Sequence, residues 1–135
     1  MTFTYEQKVL FKHCDPAGIV FFPRYFEMMN DCVEAFFDHI GSPFEEMHSG
    51  TGGVPTGKIN ARFHAPSRHG DHLLLTLKGR RLGRSTFDFE IVTTCAGEAR
   101  MTYEATLVYI AGIGKSAPWT DHLRAGLTPY ISQEA

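Results

Sequence analysis

Cysteine is scarce in this chain of 135 residues: three, at positions 14, 32 and 95. Their odd number and wide spacing exclude a disulfide framework. Charge of one sign is equally lacking, with 13 Lys and Arg against 15 Asp and Glu and a net charge of −2. That balance argues against nucleic acid as a main partner and leaves room only for local basic patches. No apolar run approaches the length that crosses a bilayer, so no membrane span is expected. The opening "MTFTYEQKVL" has no basic-then-apolar signal pattern, and a cytoplasmic location is the expectation. Repeats, linkers and low-complexity segments are missing too. What remains is ordinary globular composition, 43% hydrophobic and 21% charged, which excludes disorder. The length predicts one domain over residues 1–135.

Five stretches alternate with period two and read as strands. Phe3, Tyr5, Val9 and Phe11 mark the first, which is expected to run to about Lys12. "TGKINARFHA" is weaker, with Ile59, Ala61 and Phe63 on one side. Leu73, Leu75 and Leu77 mark the third, and Phe87, Phe89 and Ile91 the fourth. Met101, Tyr103, Ala105, Leu107 and Tyr109 mark the fifth. The short links "RRLGRS" and "CAGE" predict that the last three strands form an antiparallel meander.

A long helix interrupts the strands, "PRYFEMMNDCVEAFFDHIG". Pro23 suits its first position, which makes Phe22 the cap, and Gly41 suits the residue just past its end. Its apolar stripe, from Tyr25 through Met29 and Val33 to Ile40, is wide enough for burial on much of its circumference. A short terminal helix is expected from Thr120, stopped by Pro129. An antiparallel sheet must bury one face, and the long helix is the element available to it. The predicted class is α+β, a five-stranded antiparallel sheet wrapped around one long central helix.

The stretch "HCDPAGIVFFPRYF", residues 13–26, joins the first strand to that helix. Asp15, Pro16 and Gly18 occupy the first, second and fourth positions of a type I turn, which alone accounts for all three. Yet Asp15 also precedes a helix whose cap position lacks a side-chain acceptor, leaving backbone N–H groups free. Free N–H groups backed by a helix dipole can receive a developing oxyanion. A carboxylate nearby could attack an acyl carbon or activate water to do so. On spacing alone, turn-former and catalyst are both open.

Other candidates carry less. His64, His69 and His72 straddle a strand end and a loop without a carboxylate–cysteine pattern at ligand spacing, so no metal is expected. Cys14 and His13 are neighbours in an extended segment, where side chains point to opposite faces, which disfavours a nucleophile–base pair. Met28 and Met29 read as core. Glu27 and Glu34 fall along one side of the helix and are expected to be exposed or at a subunit contact.

"HCDPAGIVFFPRYF" resembles the active-site segment of the 4-hydroxybenzoyl-CoA thioesterases, a family of hotdog-fold acyl-CoA thioesterases. "GVPTGKINARF" and the basic hairpin "KGRRLGRS" extend the likeness over most of the chain. The resemblance implies the hotdog fold, pairing into homodimers or homotetramers, and active sites at the dimer interface. It implies that Asp15 is the catalytic carboxylate and that the Phe22 backbone N–H polarises the thioester carbonyl. On the central helix it implies that Tyr25 and Asn30 bind substrate, Asn30 pointing towards the acyl ring and standing where the family's 4-hydroxybenzoyl enzyme has a carboxylate for the ring hydroxyl. Asp31 is adjacent but points about 100° away around the helix. In the hairpin, Arg84 with Ser85, and Arg81 before them, are the expected holders of coenzyme A phosphates; arginine forks suit that chemistry. The implied activity is hydrolysis of a benzoyl- or hydroxybenzoyl-type CoA thioester, without metal or other cofactor, with Asp15 as nucleophile or general base. The alternatives are a short-chain thioesterase related to Tol–Pal-associated proteins and a non-catalytic acyl-CoA binding protein. A pure binder has no need of a carboxylate beside the thioester.

Overall fold

The computed structural model describes residues 1–49, 52–112 and 114–132. In chain order the elements are β1 (Phe3–Lys8), α1 (Phe22–His39), α2 (Phe44–Ser49), β2 (Gly52–Gly53), β3 (Thr56–Phe63), β4 (His72–Leu82), β5 (Thr86–Cys95), β6 (Glu98–Val108), β7 (Ile110–Ala111) and α3 (Asp121–Leu127). Single 3₁₀ turns lie at Phe11–His13 and Thr128–Tyr130.

Strict alternation builds the core. Leu73, Leu75 and Leu77 of β4, Phe87, Phe89 and Ile91 of β5, and Met101, Tyr103, Ala105 and Leu107 of β6 all point inward and are buried. They close on the buried stripe of α1, which runs from Tyr25 through Met28, Met29, Cys32 and Val33 to Phe36 and Phe37. Phe36 stacks on Phe87 with ring centroids 6.1 Å apart and planes 7° from parallel. At Cys32, burial pushes the thiol pKa up to about 12, so it is an inert core residue. The sheet order is β1-β4-β5-β6-β3, every pairing antiparallel. The expected meander is therefore present, and the fold is the hotdog, a five-stranded sheet wrapped on α1. Between β5 and β6 the turn passes through Ala96 and Gly97 at φ 49° and 84°, the doubly left-handed geometry that a two-residue hairpin requires.

Four expectations needed revision. The first strand ends at Lys8, not near Lys12, and Phe11 is 81% exposed. The Leu10 N–H donates to Nδ1 of His13, 2.9 Å away, and curls the chain into a 3₁₀ turn. In β3, Ile59 and Phe63 are about half exposed, because β3 is an edge strand that bonds to β6 alone. Helix α1 starts one residue early, at Phe22, so Phe21 rather than Phe22 is its cap position. Tyr109 lies just past β6 and is buried against Trp119. The terminal helix starts as expected, with Thr120 at its cap. Short α2 and the two-residue pair β2–β7 carry too few residues for any period to announce them.

Candidate active site

Asp15 sits at the base of a miniature hairpin. Cys14 and Val20 pair as an antiparallel bridge, and the Asp15 N–H donates to the Ile19 carbonyl at 2.9 Å. Gly18 N–H closes the turn on the Asp15 carbonyl, 2.9 Å away. Gly18 has φ 82°, a conformation that glycine adopts without steric cost. One carboxylate oxygen, Oδ1, accepts from the Ala17 N–H at 2.9 Å, an Asx turn. The other, Oδ2, has no partner among the described residues. The turn-forming role is thus real, and it occupies half of the carboxylate.

Both flanks of the hairpin are clamped. The Val20 N–H donates to the Ser67 carbonyl at 2.8 Å, and Ile19 bridges to Arg68. Fully buried Ser67 accepts the hydroxyl of Tyr25 at 2.9 Å and Nη1 of Arg100 at 3.2 Å. Arg100 also reaches Asp71 at 2.8 Å. The Arg68 backbone N–H, and then the Arg100 guanidinium, hold the Asp71 carboxyl below the usual carboxylate range. Stability from that carboxyl is present above its unfolded value, about 4, and is lost as pH falls through the lower folded value. On the other flank, the Phe21 N–H donates to the His13 carbonyl at 2.9 Å. Nδ1 of His13 accepts a backbone N–H and so carries no proton, which fixes the ring as the neutral Nε2–H form. Burial, then nearby Lys12, lowers the pKa of His13 and keeps it in that form.

The hairpin delivers the chain to α1. Phe21 offers no side-chain hydrogen bond as cap, and Pro23 has no N–H to satisfy. Among the described residues the Phe22 N–H has no acceptor. One unpaired carboxylate oxygen and one unpaired helix-start donor therefore belong to the same short segment. No group of three or more His, Cys, Asp or Glu among the described residues is placed to hold a metal ion.

The other expected site residues fall in two places. Tyr25 is buried, and its hydroxyl is committed to Ser67, so it positions the hairpin. Asn30 lines a cavity of about 330 Å³ between α1, α2 and the inner face of β5 and β6. An unbroken series of aromatic contacts joins the start of α1 to that cavity. Phe22 and Phe26 both pack on Phe63, Phe26 packs on Tyr103, and Tyr103 on Phe89, with centroids 6.1–6.5 Å apart. Tyr103 and Phe89 line the cavity with Asn30. In the sequence these rings are indistinguishable from core, which is why the path cannot be read there.

Arg81, Arg84 and Ser85 lie at the β4–β5 hairpin, away from Asn30. Its backbone is pinned: the Arg84 carbonyl accepts from the Trp119 N–H at 3.0 Å, and Ser85 from Tyr109 at 2.7 Å. Nη2 of Arg124 adds a bond to the Gly83 carbonyl at 2.9 Å. The side chains of Arg81 and Arg84 are exposed, whereas Arg80 pairs with Glu90 at 3.0 Å.

Known proteins match this geometry. The thioesterase-like superfamily model matches residues 9–127. The chain is 31% identical over 93 residues to the 1,4-dihydroxy-2-naphthoyl-CoA hydrolase of Synechocystis sp. (strain ATCC 27184 / PCC 6803 / Kazusa), covering 67% of each protein. To the 4-hydroxybenzoyl-CoA thioesterase of Pseudomonas sp. (strain CBS-3) it is 30% identical over 87 residues, which is 62% of each. Among solved structures, a gentisyl-coenzyme A thioesterase superposes with a TM-score of 0.85 at 25% identity, covering 91% of this chain and 98% of that one. The chain belongs to the thioesterase-like superfamily and is a thioester hydrolase.

Proposed function

We propose that this protein hydrolyses an aromatic acyl-CoA thioester, of benzoyl or hydroxybenzoyl type, to the free acid and coenzyme A. The observation that carries the reading is the free Oδ2 of Asp15 in the segment that ends on the unpaired Phe22 N–H. The Phe22 N–H would take the thioester oxygen as it gains negative charge. Asp15 would then act in one of two ways. As nucleophile, its oxygen bonds the acyl carbon, the C–S bond breaks, the thiolate leaves, and water hydrolyses the mixed anhydride. As general base, it takes a proton from a water whose oxygen bonds the same carbon, and the C–S bond then breaks as the thiolate leaves and is protonated. One oxyanion donor contributes about 10²–10³-fold and general base assistance about 10²–10⁴-fold, enough for a modest enzyme on an activated ester.

Asn30 lies eight residues beyond Phe22 on one helix, about 12 Å along the axis and about 80° around it. That spacing supports an acyl group whose carbonyl meets the helix start and whose ring points toward the Asn30 cavity. The relatives' names point the same way, since the two curated ones act on aromatic CoA esters. Arg84, Ser85 and Arg81 would bind the coenzyme A phosphates. The assembly would be a homodimer or homotetramer with active sites at the dimer interface. In support of this, β3 is an edge strand and Ile59 and Phe63 on it are half exposed. The test is release of free thiol from benzoyl-, hydroxybenzoyl- and straight-chain CoA esters at equal concentration. Turnover confined to the straight-chain esters would overturn the proposal.

A further inference from the structure

We infer that Tyr103 is a specificity-determining residue, whose hydroxyl binds an uncharged polar substituent on the acyl group inside the Asn30 cavity. This rests on the function proposed above.

Four tyrosines are buried. The hydroxyls of Tyr109 and Tyr130 have no partner among the described residues but line no part of this cavity, and the other two make the case by contrast. Tyr25 is 3% exposed and gives its hydroxyl to Ser67 at 2.9 Å. Tyr103 is 6% exposed, and its hydroxyl has no hydrogen-bond partner among the described residues. Burial raises the pKa of Tyr103, and no hydrogen bond or neighbouring charge contributes. A tyrosine hydroxyl usually finds a partner, in the protein or in whatever occupies the space beside it. Phenylalanine would pack equally well against Phe26 and Phe89, whose centroids lie 6.1 and 6.2 Å from that of Tyr103. Nor is the oxygen sealed in the core like Oγ1 of Thr93, which is buried without a partner. Tyr103 lines the cavity, so its oxygen is available to whatever enters.

The cavity also restricts the chemistry of that ligand. At about 330 Å³ it stands at the low end of ligand pockets. Its walls are mainly apolar, with Asn30, His48, Thr56 and Tyr103 as the polar side chains. Among the described residues no Lys, Arg, Asp or Glu lines it, so a carboxylate or ammonium substituent would be desolvated without a counter-charge from them. A hydroxyl can donate and accept, and so can the tyrosine. The fitting class is an aromatic acyl group bearing a neutral ring hydroxyl. A site that bonds a substrate hydroxyl rejects the analogue lacking it more strongly than an apolar pocket rejects an extra methylene.

The experiment is kcat/KM for benzoyl-CoA and the three positional hydroxybenzoyl-CoA esters, with the wild type and with Tyr103→Phe. The wild type is expected to favour one hydroxylated ester over benzoyl-CoA by about tenfold or more. In Tyr103→Phe that preference should fall to about threefold or less, with a melting temperature and circular dichroism spectrum like the wild type's as evidence of intact folding. An unchanged preference, or equal loss on both esters, would overturn the role of Tyr103. Equal wild-type turnover of benzoyl and hydroxybenzoyl esters would overturn it too, while leaving the proposed function standing. A wild type that cleaves only straight-chain esters would overturn both.

Discussion

Two helices of this molecule begin in opposite ways. At the start of α3, Thr120 takes the Leu123 N–H on its hydroxyl at 3.2 Å, and an acidic residue, Asp121, follows in the first turn. At the start of α1, the cap is Phe21, no side chain accepts, and the first turn holds no acidic residue. A side-chain acceptor at the cap and an acidic first turn are present in the first and absent from the second, whose start keeps only its proline. The chain can build a capped helix, and it leaves the longer one open in the segment that carries the half-free carboxylate of Asp15. What separates them is what each start faces. α3 closes the C-terminal segment over the β4–β5 hairpin, whereas α1 opens where the Asp15 hairpin ends.

Capping α1 is the strongest way to break this contrast. Phe21→Asp supplies both the missing acceptor and a negative charge. It should hold or raise the melting temperature while lowering kcat by about 10²-fold, because the charge opposes the oxyanion. Thermal melts with steady-state kinetics on one aromatic ester check both. Turnover kept within a fewfold would mean that the open start has no chemical role. A smaller effect is expected at the β4–β5 hairpin. Arg84→Ala should raise KM for a CoA ester about tenfold with kcat nearly unchanged, the pattern of uniform binding. The same variant should leave a truncated pantetheine thioester unaffected, and equal loss on both substrates would detach Arg84 from the phosphates. The smallest effect belongs to the capped helix: Thr120→Ala should cost about 1 kcal/mol of stability and leave kcat unchanged. Denaturant unfolding beside the thiol-release assay measures it, and a change in kcat would blur the distinction between the two starts.

What the sequence makes legible follows from the range of the interactions involved. The runs at Leu73–Leu77, Phe87–Ile91 and Met101–Leu107 announce themselves because period two is a local signal. So does the turn at Asp15, where Pro16 and Gly18 stand in place and the observed bonds match them. Less is legible where a side chain's job depends on residues far along the chain. The network that clamps the hairpin joins Tyr25 to Ser67 and Ser67 to Arg100, separations of 42 and 33 residues. Nothing in "PSRHGD" hints that Asp71 will meet Arg100. Ile59 and Phe63 carry an inward-facing pattern but sit on an edge strand, where neighbours rather than periodicity decide burial. The end of β1 is misread for a comparable reason: one bond, from the Leu10 N–H to His13, overrides the alternation at Phe11.

The central claim is that Asp15 acts on the acyl carbon and does more than hold its turn. Asn is the substitution that separates the two roles, since an amide oxygen can still accept the Ala17 N–H and keep the Asx turn. Only the carboxylate is lost. The direct measurement is kcat of Asp15→Asn on an aromatic CoA ester at saturation, with substrate binding followed by calorimetry. kcat is expected to fall at least about 10²-fold with binding retained. Near-normal turnover would contradict it and leave Asp15 as a turn residue.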